Sequence, residues 1–355
     1  MIDIQITKTT TPNVKPKAET LGFGKYFSDH IFVSSYTKNK SWHKNQIMPY
    51  QNFQMNPAAS VFHYGQALFE GMKAFKQTDG KCVLFRPEFN WERLKYGAER
   101  LCMQAPPKEI MIDGIRELVK IDQSWIPTAD GCSLYIRPTL IGTEGFLGVR
   151  PSDEYLFYVI LSPVGSYYGN KFLPIPIWIE TKDLRAAPGG LGSTKAGANY
   201  ASSLRAAVRA KEKGFSQVLW LDTEQKYIEE VGTMNVFFII KNKLITPKLN
   251  GSILAGNTRD CVLQLAKDWG MQIEERQVSL QEIVKHSELG ELQECFGTGT
   301  AAVITPIGRL ESDKYKIIIG ESENKVGPRS QKFYDEITGL QYGTRKDTKN
   351  WIVPI

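Results

Sequence analysis

The stretch "YIEEVGTMNVFFII" at residues 227–240 places two glutamates directly before an apolar run rich in β-branched and aromatic residues. That composition reads as strand. Working outward, "QVLWLD" at 217–222 and "KLITPKL" at 243–249 repeat the pattern after short turns, and "ECFGTGTAAVITPIG" at 294–308 reads as strand, glycine turn, strand. Between them "GNTRDCVLQLAKDWG" at 256–270 has the look of a capped helix, with Asn257 at its start and Gly270 at its end. The first half mixes the same ingredients. "VFHYGQALFEGMKAF" (61–75) is expected to begin extended and become more compact around Gly71. "CVLFRPEFNWERLKYGAERLCMQAP" (82–106) is expected to be strand then helix, with Pro87 at the helix start and Leu94, Ala98, Leu101 and Cys102 as its apolar stripe. "SLYIRPTLIG" (133–142) and "EYLFYVILSPVG" (154–165) read as strands, the second apolar enough to be buried on both faces. Strand-rich halves that each carry a few helices predict two α+β domains and not a doubly wound parallel sheet. The Gly- and Pro-containing "SYYGNKFLPIP" (166–176) marks the connector, so the expected division is 1–168, a linker at 169–180, and 181–355.

The 355 residues carry 42% hydrophobic and 23% charged residues and a formal net charge of +6 with no long basic block. Nucleic-acid binding therefore has little support, and small anionic ligands suit the charge equally well. Five scattered cysteines (Cys82, Cys102, Cys132, Cys261, Cys295), no CxxC pair and only four histidines speak against a disulfide framework and a zinc site. A cytoplasmic setting is the expectation. The N-terminal stretch lacks the charged-then-apolar order of a signal peptide, and no run reaches the roughly 18 apolar residues of a membrane span. No GxGxxG follows a strand and no GxxxxGK[ST] occurs.

Four features bear on chemistry. Lys195 stands in "GGLGSTKAGANY" among glycines, alanines and small hydroxyls, just before a helical pattern with Leu204 and Val208 four apart. A solvated loop lysine is the plain alternative to a nucleophile there. Gly256, Asn257 and Thr258 lie at a helix N-terminus, and "GTGTAA" offers a second turn of N–H donors with Thr298, Gly299 and Thr300; each suits an anion, and each could be an ordinary cap or hairpin turn. In "IEEVGTMN", strand alternation sends one glutamate inward, where it needs either a core arginine or a protonated heterocyclic nitrogen. In "SLYIRP", Tyr135 and Arg137 share one strand face and suit a carboxylate, with a neighbouring acid as the alternative partner for Arg137. A lysine amine, phosphate-binding turns, a buried acid and a carboxylate clamp together suit pyridoxal 5'-phosphate (PLP).

These residues resemble the branched-chain amino acid aminotransferases, members of the fold-type IV (class IV) PLP enzymes. The likeness runs through "FGKYFSDH", "HYGQALFEGMKAF", "LFRPEFNWERL", "SLYIRPTLIGTEGFLGV", "GSTKAGANY", "QVLWLD", "EEVGTMNVF", "FGTGTAA" and "QYG" in family order. It implies the two-domain fold of the D-amino acid aminotransferase type, with a small N-terminal α/β domain, a larger C-terminal PLP-binding domain and the site at their interface. It further implies that Lys195 forms the Schiff base with PLP and moves the proton between Cα and C4′, that Tyr200 bonds the cofactor's phenolic oxygen, and that Glu230 pairs with the ring nitrogen. Glu229 is then expected to face solvent or the neighbouring layer. Arg93, with Gly256, Asn257, Thr258, Gly299 and Thr300, is implied for the phosphate. Tyr64, Tyr135, Arg137 and the Thr300–Ala301 turn are implied for the substrate carboxylate. Phe69, Tyr167, Thr233 and Phe27 are implied for the side-chain pocket, Thr233 also touching the cofactor. Val149 is implied to reach into the partner's site in a homodimer. Animal members carry a CxxC after the "GTGT" turn, where this chain has Ala302 and Thr305. The implied activity is reversible transfer of the amino group of L-leucine, L-isoleucine or L-valine to 2-oxoglutarate. Alternatives are a D-amino acid aminotransferase, an aminodeoxychorismate lyase, or a non-catalytic protein that keeps the PLP pocket.

Overall fold

The computed structural model describes residues 2–165 and 172–355. The chain divides into two compact units. The first comprises Met1–Gly169, Thr194–Ala198 and Gly339–Ile355, the second Asn170–Ser193 and Asn199–Thr338. A single cut near 169–180 therefore misses two short returns of the chain, one of which carries Lys195. The stretch expected to be a linker also contains the strand Ile175–Ile179.

The first unit is built on a nine-stranded sheet in the order Gln5–Ile6, Ser41–Pro49, His30–Thr37, Glu154–Val164, Ser133–Gly142, Met72–Lys76, Cys82–Phe85, Ile352–Pro354, with Ala67–Phe69 also paired to Ser133–Gly142. Apart from Gln5–Ile6 with Ser41–Pro49, these pairings are antiparallel. The helix Lys108–Ile121 lies against strand His30–Thr37, where a Cβ on Gly114 would come within 2.7 Å of the Phe32 ring. Only glycine lets the helix come that close.

Three local expectations change here. Residues Ser60–Tyr64 are helical and the extended strand follows at Ala67–Phe69, the reverse of the expected order. The helix Pro87–Arg100 buries Pro87, Asn90, Leu94, Gly97 and Ala98, while Cys102 lies beyond its end and is exposed. Strand Glu154–Val164 alternates in and out over its first half and is buried on both faces only from Leu161 onward.

In the second unit the order is Ile228–Val231, Gln217–Leu221, Ile175–Ile179, Val303–Glu311, Leu292–Gly299, Met234–Ile240, Lys243–Pro247, Ile273–Arg276, with Lys316–Ile318 beside Val303–Glu311. Ile228–Val231 also pairs with Met234–Ile240. That extra pairing closes six of the strands into a barrel, which removes the free edge of Ile228–Val231. The stretch 227–240 is thus two strands and not one, reversed at Gly232, whose φ of +57° suits a residue without Cβ. Phe237 and Phe296 stack at 5.3 Å between centroids in the unit's core. The helix Gly197–Glu212 forms as its sequence suggests but with another face inward. Leu204 and Val208 are 63% and 55% exposed, while Ala206 and Ala210 are buried against Trp178, Phe215, Val218 and Trp220. The expected capped helix is present as Asn257–Asp268, followed by Gly270 at φ +66°.

Candidate active site

In the first unit the chain carrying Lys195 lies along strand Ala67–Phe69. The Phe69 N–H donates to the Lys195 carbonyl at 3.1 Å, and Leu68 forms a bridge with Ala196. This backbone pairing fixes the origin of a long flexible side chain. Lys195 Nζ stands 4.8 Å from the Phe69 ring centroid, and the Arg137 guanidinium stands 4.5 Å from the same centroid. Arg137 Nη2 donates to Tyr135 Oη at 3.0 Å, while Arg137 Nε is buried without a hydrogen-bond partner among the described residues. The amine and guanidinium named from sequence are therefore brought together at Phe69, with the phenol bonded to the guanidinium.

The next residue, Glu70, is fully buried and was not singled out from the sequence. Arg93 Nε donates to its Oε1 and Nη2 to its Oε2, both at 2.7 Å. Asn90 Nδ2 donates to Oε2 at 2.7 Å and the Gly71 N–H at 3.1 Å. Burial pushes this carboxyl up, but Arg93 beside it, the Lys195 charge and the Asn90 hydrogen bond outweigh burial and leave it below the ordinary range. Arg93, expected at a phosphate, is thus oriented by a two-bond pair that fixes its plane. A carboxylate set in "ALFEGMKAF", with apolar neighbours on both sides, was the available signal, because such a group has to find a buried partner.

Other first-unit residues have different partners. The Tyr64 hydroxyl donates to the Leu147 carbonyl, on the same loop as Val149, which is 87% exposed. Phe27 stacks on Tyr50 at 5.2 Å. Tyr167 lies outside the described residues.

In the second unit both adjacent glutamates are buried, Glu229 at 2% and Glu230 at 3% exposure. Simple alternation fails because the outer face of this strand is covered. Glu229 Oε1 accepts from Asn250 Nδ2 at 3.3 Å and from the Ser252 hydroxyl. Glu230 Oε1 accepts from the Leu254 N–H at 2.7 Å, and its Oε2 lies 3.4 Å from Arg185 Nε. The core arginine raised as an alternative partner is therefore present, and nothing in "KDLRAAPGG" distinguished it from a surface charge.

Strand pairing sets Asn235 opposite both Glu230 and Thr298, and a Cβ on Gly256 would collide with the Asn235 amide oxygen. Glu230, the Gly256–Thr258 helix start and the Thr298–Thr300 turn are thus held about Asn235. Asn257 and Thr258 are 6% and 7% exposed in the first turn of their helix, and Gly299, Thr300 and Ala301 are half-buried. Thr298 Oγ1 is buried with no hydrogen-bond partner among the described residues. Thr233 is exposed in its hairpin turn, and Tyr200 is half-buried in the first turn of Gly197–Glu212. A buried carboxylate, a helix N-terminus and an unpaired hydroxyl form a donor and acceptor set that fits a phosphorylated, protonated heterocycle such as PLP.

The class IV amino-transferase family profile matches residues 67–310. Branched-chain-amino-acid aminotransferase 2 of Bacillus subtilis (strain 168) is 48% identical over 353 residues, spanning 99% of this chain and 97% of that protein. Among solved structures, the branched-chain amino acid aminotransferase from Escherichia coli superposes with a TM-score of 0.73 at 25% identity, covering 92% of this chain and 98% of that one. The T.th. branched-chain amino acid aminotransferase with pyridoxamine 5'-phosphate shares the fold, with a TM-score of 0.74 at 24% identity and coverage of 91% and 97%. The chain belongs to the class IV aminotransferases, and among them to the branched-chain-amino-acid aminotransferases.

Proposed function

We propose that the protein transfers the amino group of L-leucine, L-isoleucine or L-valine reversibly to 2-oxoglutarate, with PLP as cofactor and Lys195 as its attachment point. The observation that carries this reading is the sharing of Phe69 by the Lys195 amine and the Arg137 guanidinium, at 4.8 and 4.5 Å from one ring. A substrate whose α-carboxylate is held by Arg137 and Tyr135 would lie within side-chain reach of the Lys195 amine. The relatives' activity supports the substrate class, and the pyridoxamine 5'-phosphate of the T.th. structure supports the cofactor.

When bound, PLP supplies an electron-withdrawing ring that makes the substrate Cα proton removable. This chain's residues do the rest. Arg137 binds the carboxylate through its planar fork, with Tyr135 beside it. In this reading Phe69, Phe27 and Thr233 would serve the substrate side chain, and Tyr64 and the Thr300–Ala301 turn the carboxylate end. Lys195 Nζ would take the Cα proton and deliver it to C4′ within the same half-reaction, and would carry a proton the opposite way in the second. With the cofactor bound, Glu230 would hold the ring nitrogen and Tyr200 the phenolic oxygen, and Arg93, Gly256, Asn257, Thr258, Gly299 and Thr300 would hold the phosphate.

The working form in this reading is a cytoplasmic homodimer. The exposed apolar Phe146, Leu147 and Val149 support a loop that inserts into the partner. No described helix is long and apolar enough to cross a membrane. The test is a panel of L- and D-amino acids with 2-oxoglutarate, measuring glutamate formed. Activity confined to branched L-amino acids is expected, and activity on D-amino acids alone excludes the reading.

A further inference from the structure

Arg185 joins three segments of the second unit. Its Nη2 donates to the Gly192 carbonyl at 3.3 Å and to the Ser252 carbonyl, and its Nε lies 3.4 Å from Glu230 Oε2. Its side chain is 9% exposed and that of Glu230 is 4%. The segments have little room to move, since a Cβ on Gly192 would collide with the Ser252 carbonyl and the Ala186 methyl. Nε is buried without a properly aligned hydrogen bond, so its link to the carboxylate is one of charge and distance. The directional bonds to Glu230 come instead from the Leu254 N–H at 2.7 Å and, longer, from Asn235 Nδ2 at 3.5 Å.

Tethering two carbonyls requires only neutral donors. A guanidinium is costly to bury and contributes little net stability even when paired. A nearby cation does have one effect that a neutral donor lacks: it favours the charged form of a buried carboxyl, which burial alone would drive toward the protonated acid. A protonated acid at Glu230 would present a hydrogen atom to a ring nitrogen, where an anion accepts one from it.

We propose that Arg185 is a positioning residue that keeps the Glu230 carboxylate anionic and aimed, and through it keeps the ring nitrogen of bound PLP protonated. The proposal rests on the reading of Glu230 as the ring nitrogen's partner. It assigns Arg185 no contact with cofactor or substrate.

The test uses the full-length protein reconstituted with PLP labelled with 15N in the ring, and reads the nitrogen chemical shift together with the PLP dissociation constant. In the unmodified protein the shift is expected at the pyridinium value, and in Glu230→Gln at the neutral-pyridine value. A Glu230→Gln shift equal to that of the unmodified protein removes the reading of Glu230, and the proposal with it.

Arg185→Gln keeps amide donors for the two carbonyls but removes the charge. It is expected to give the neutral value and to weaken PLP binding about tenfold, the lower end for loss of a group that orients another ligand. A pyridinium shift in Arg185→Gln, alongside a neutral one in Glu230→Gln, overturns the proposal and leaves the Glu230 reading intact.

The Arg185→Gln/Glu230→Gln double variant is expected to match Glu230→Gln alone in shift and affinity, since the arginine has no carboxylate left to act on. Additive losses overturn the proposal. Should Arg185→Gln fail to fold, recovery of folding in the double variant identifies the bare Glu230 charge as the cause and supports it. A double variant that is also unfolded makes Arg185 a strut and overturns it.

Discussion

Lys195 is the lysine whose backbone pairs with the strand carrying Phe69 and whose amine stands over that residue's ring. Lys195→Ala is expected to retain PLP but lose roughly 10²–10⁴ in turnover from the missing base alone. Near-normal turnover by the purified variant, without added amine, removes Lys195 from the mechanism. Arg137 acts on both substrates through the carboxylate they share. Arg137→Ala is therefore expected to lower kcat/KM for 2-oxoglutarate and for branched-chain amino acids together, by about 1.5–3 kcal/mol or one to two orders of magnitude. Steady-state kinetics with each substrate varied in turn checks this, and an effect on only one of them means Arg137 binds a side chain. Lys195 and Arg137 drew notice in the sequence through their local settings, a charge among small residues and a guanidinium two positions from a phenol. Those settings left a solvated lysine and an ordinary ion pair open, and the roles came from the family resemblance. Glu70 and Arg185 drew no notice, because their partners lie 23 and 45 positions away along the chain and only folding pairs them.

At the scale of elements, the turn from Ala67–Phe69 into Met72–Lys76 is shaped by Gly71, where a Cβ would collide with the Tyr135 hydroxyl. Gly71→Ala is expected to push the Tyr135 ring away from Arg137 and to raise KM for the amino-acid substrate. It is also expected to cost about 1–3 kcal/mol of stability, as overpacking in a filled site does. Amino-acid kinetics and urea unfolding on the same preparation check both effects, and unchanged KM with unchanged stability would show that the tyrosine yields freely. Apolar runs such as Met234–Ile240 were legible because each carries its whole signal locally. The five-residue helix Ser60–Tyr64 was not, being shorter than two turns and so without a readable period. The helix Gly197–Glu212 was legible as a helix but not in its facing. Ala206 and Ala210 lie against Trp178 and Trp220, and bulkier residues there would hold the helix off the barrel.

For the molecule as a whole, the α+β class was readable from composition and element order, while barrel closure was not. Closure depends on Ile175–Ile179 pairing in parallel with strands more than 30 residues further along, and no local pattern encodes that choice. The stability of the whole carries a pH dependence from Lys73, in the interior of the first unit. Lys73 lies on strand Met72–Lys76 opposite Tyr135 and is 7% exposed. Burial lowers its pKa from the ordinary 10.5 to about 8, with a smaller opposing contribution from Cys132. Between those two values the folded chain has released a proton that the unfolded chain still holds, so this group makes stability rise with pH across that window. Below about pH 8 both forms are protonated and the full penalty applies, on the order of 3 kcal/mol for a gap of that size. Lys73→Met keeps a similar length and removes the charge. It is expected to stabilise the protein at pH 7 by up to about 3 kcal/mol, less whatever the lysine's own contacts contribute. The gain should shrink steadily as pH rises from 8 toward 10.5, because the unmodified protein then sheds its penalty. Urea unfolding of both proteins across pH 7 to pH 10 measures the difference directly. A gain that stays constant with pH would mean that packing, and not the buried ammonium, sets the effect.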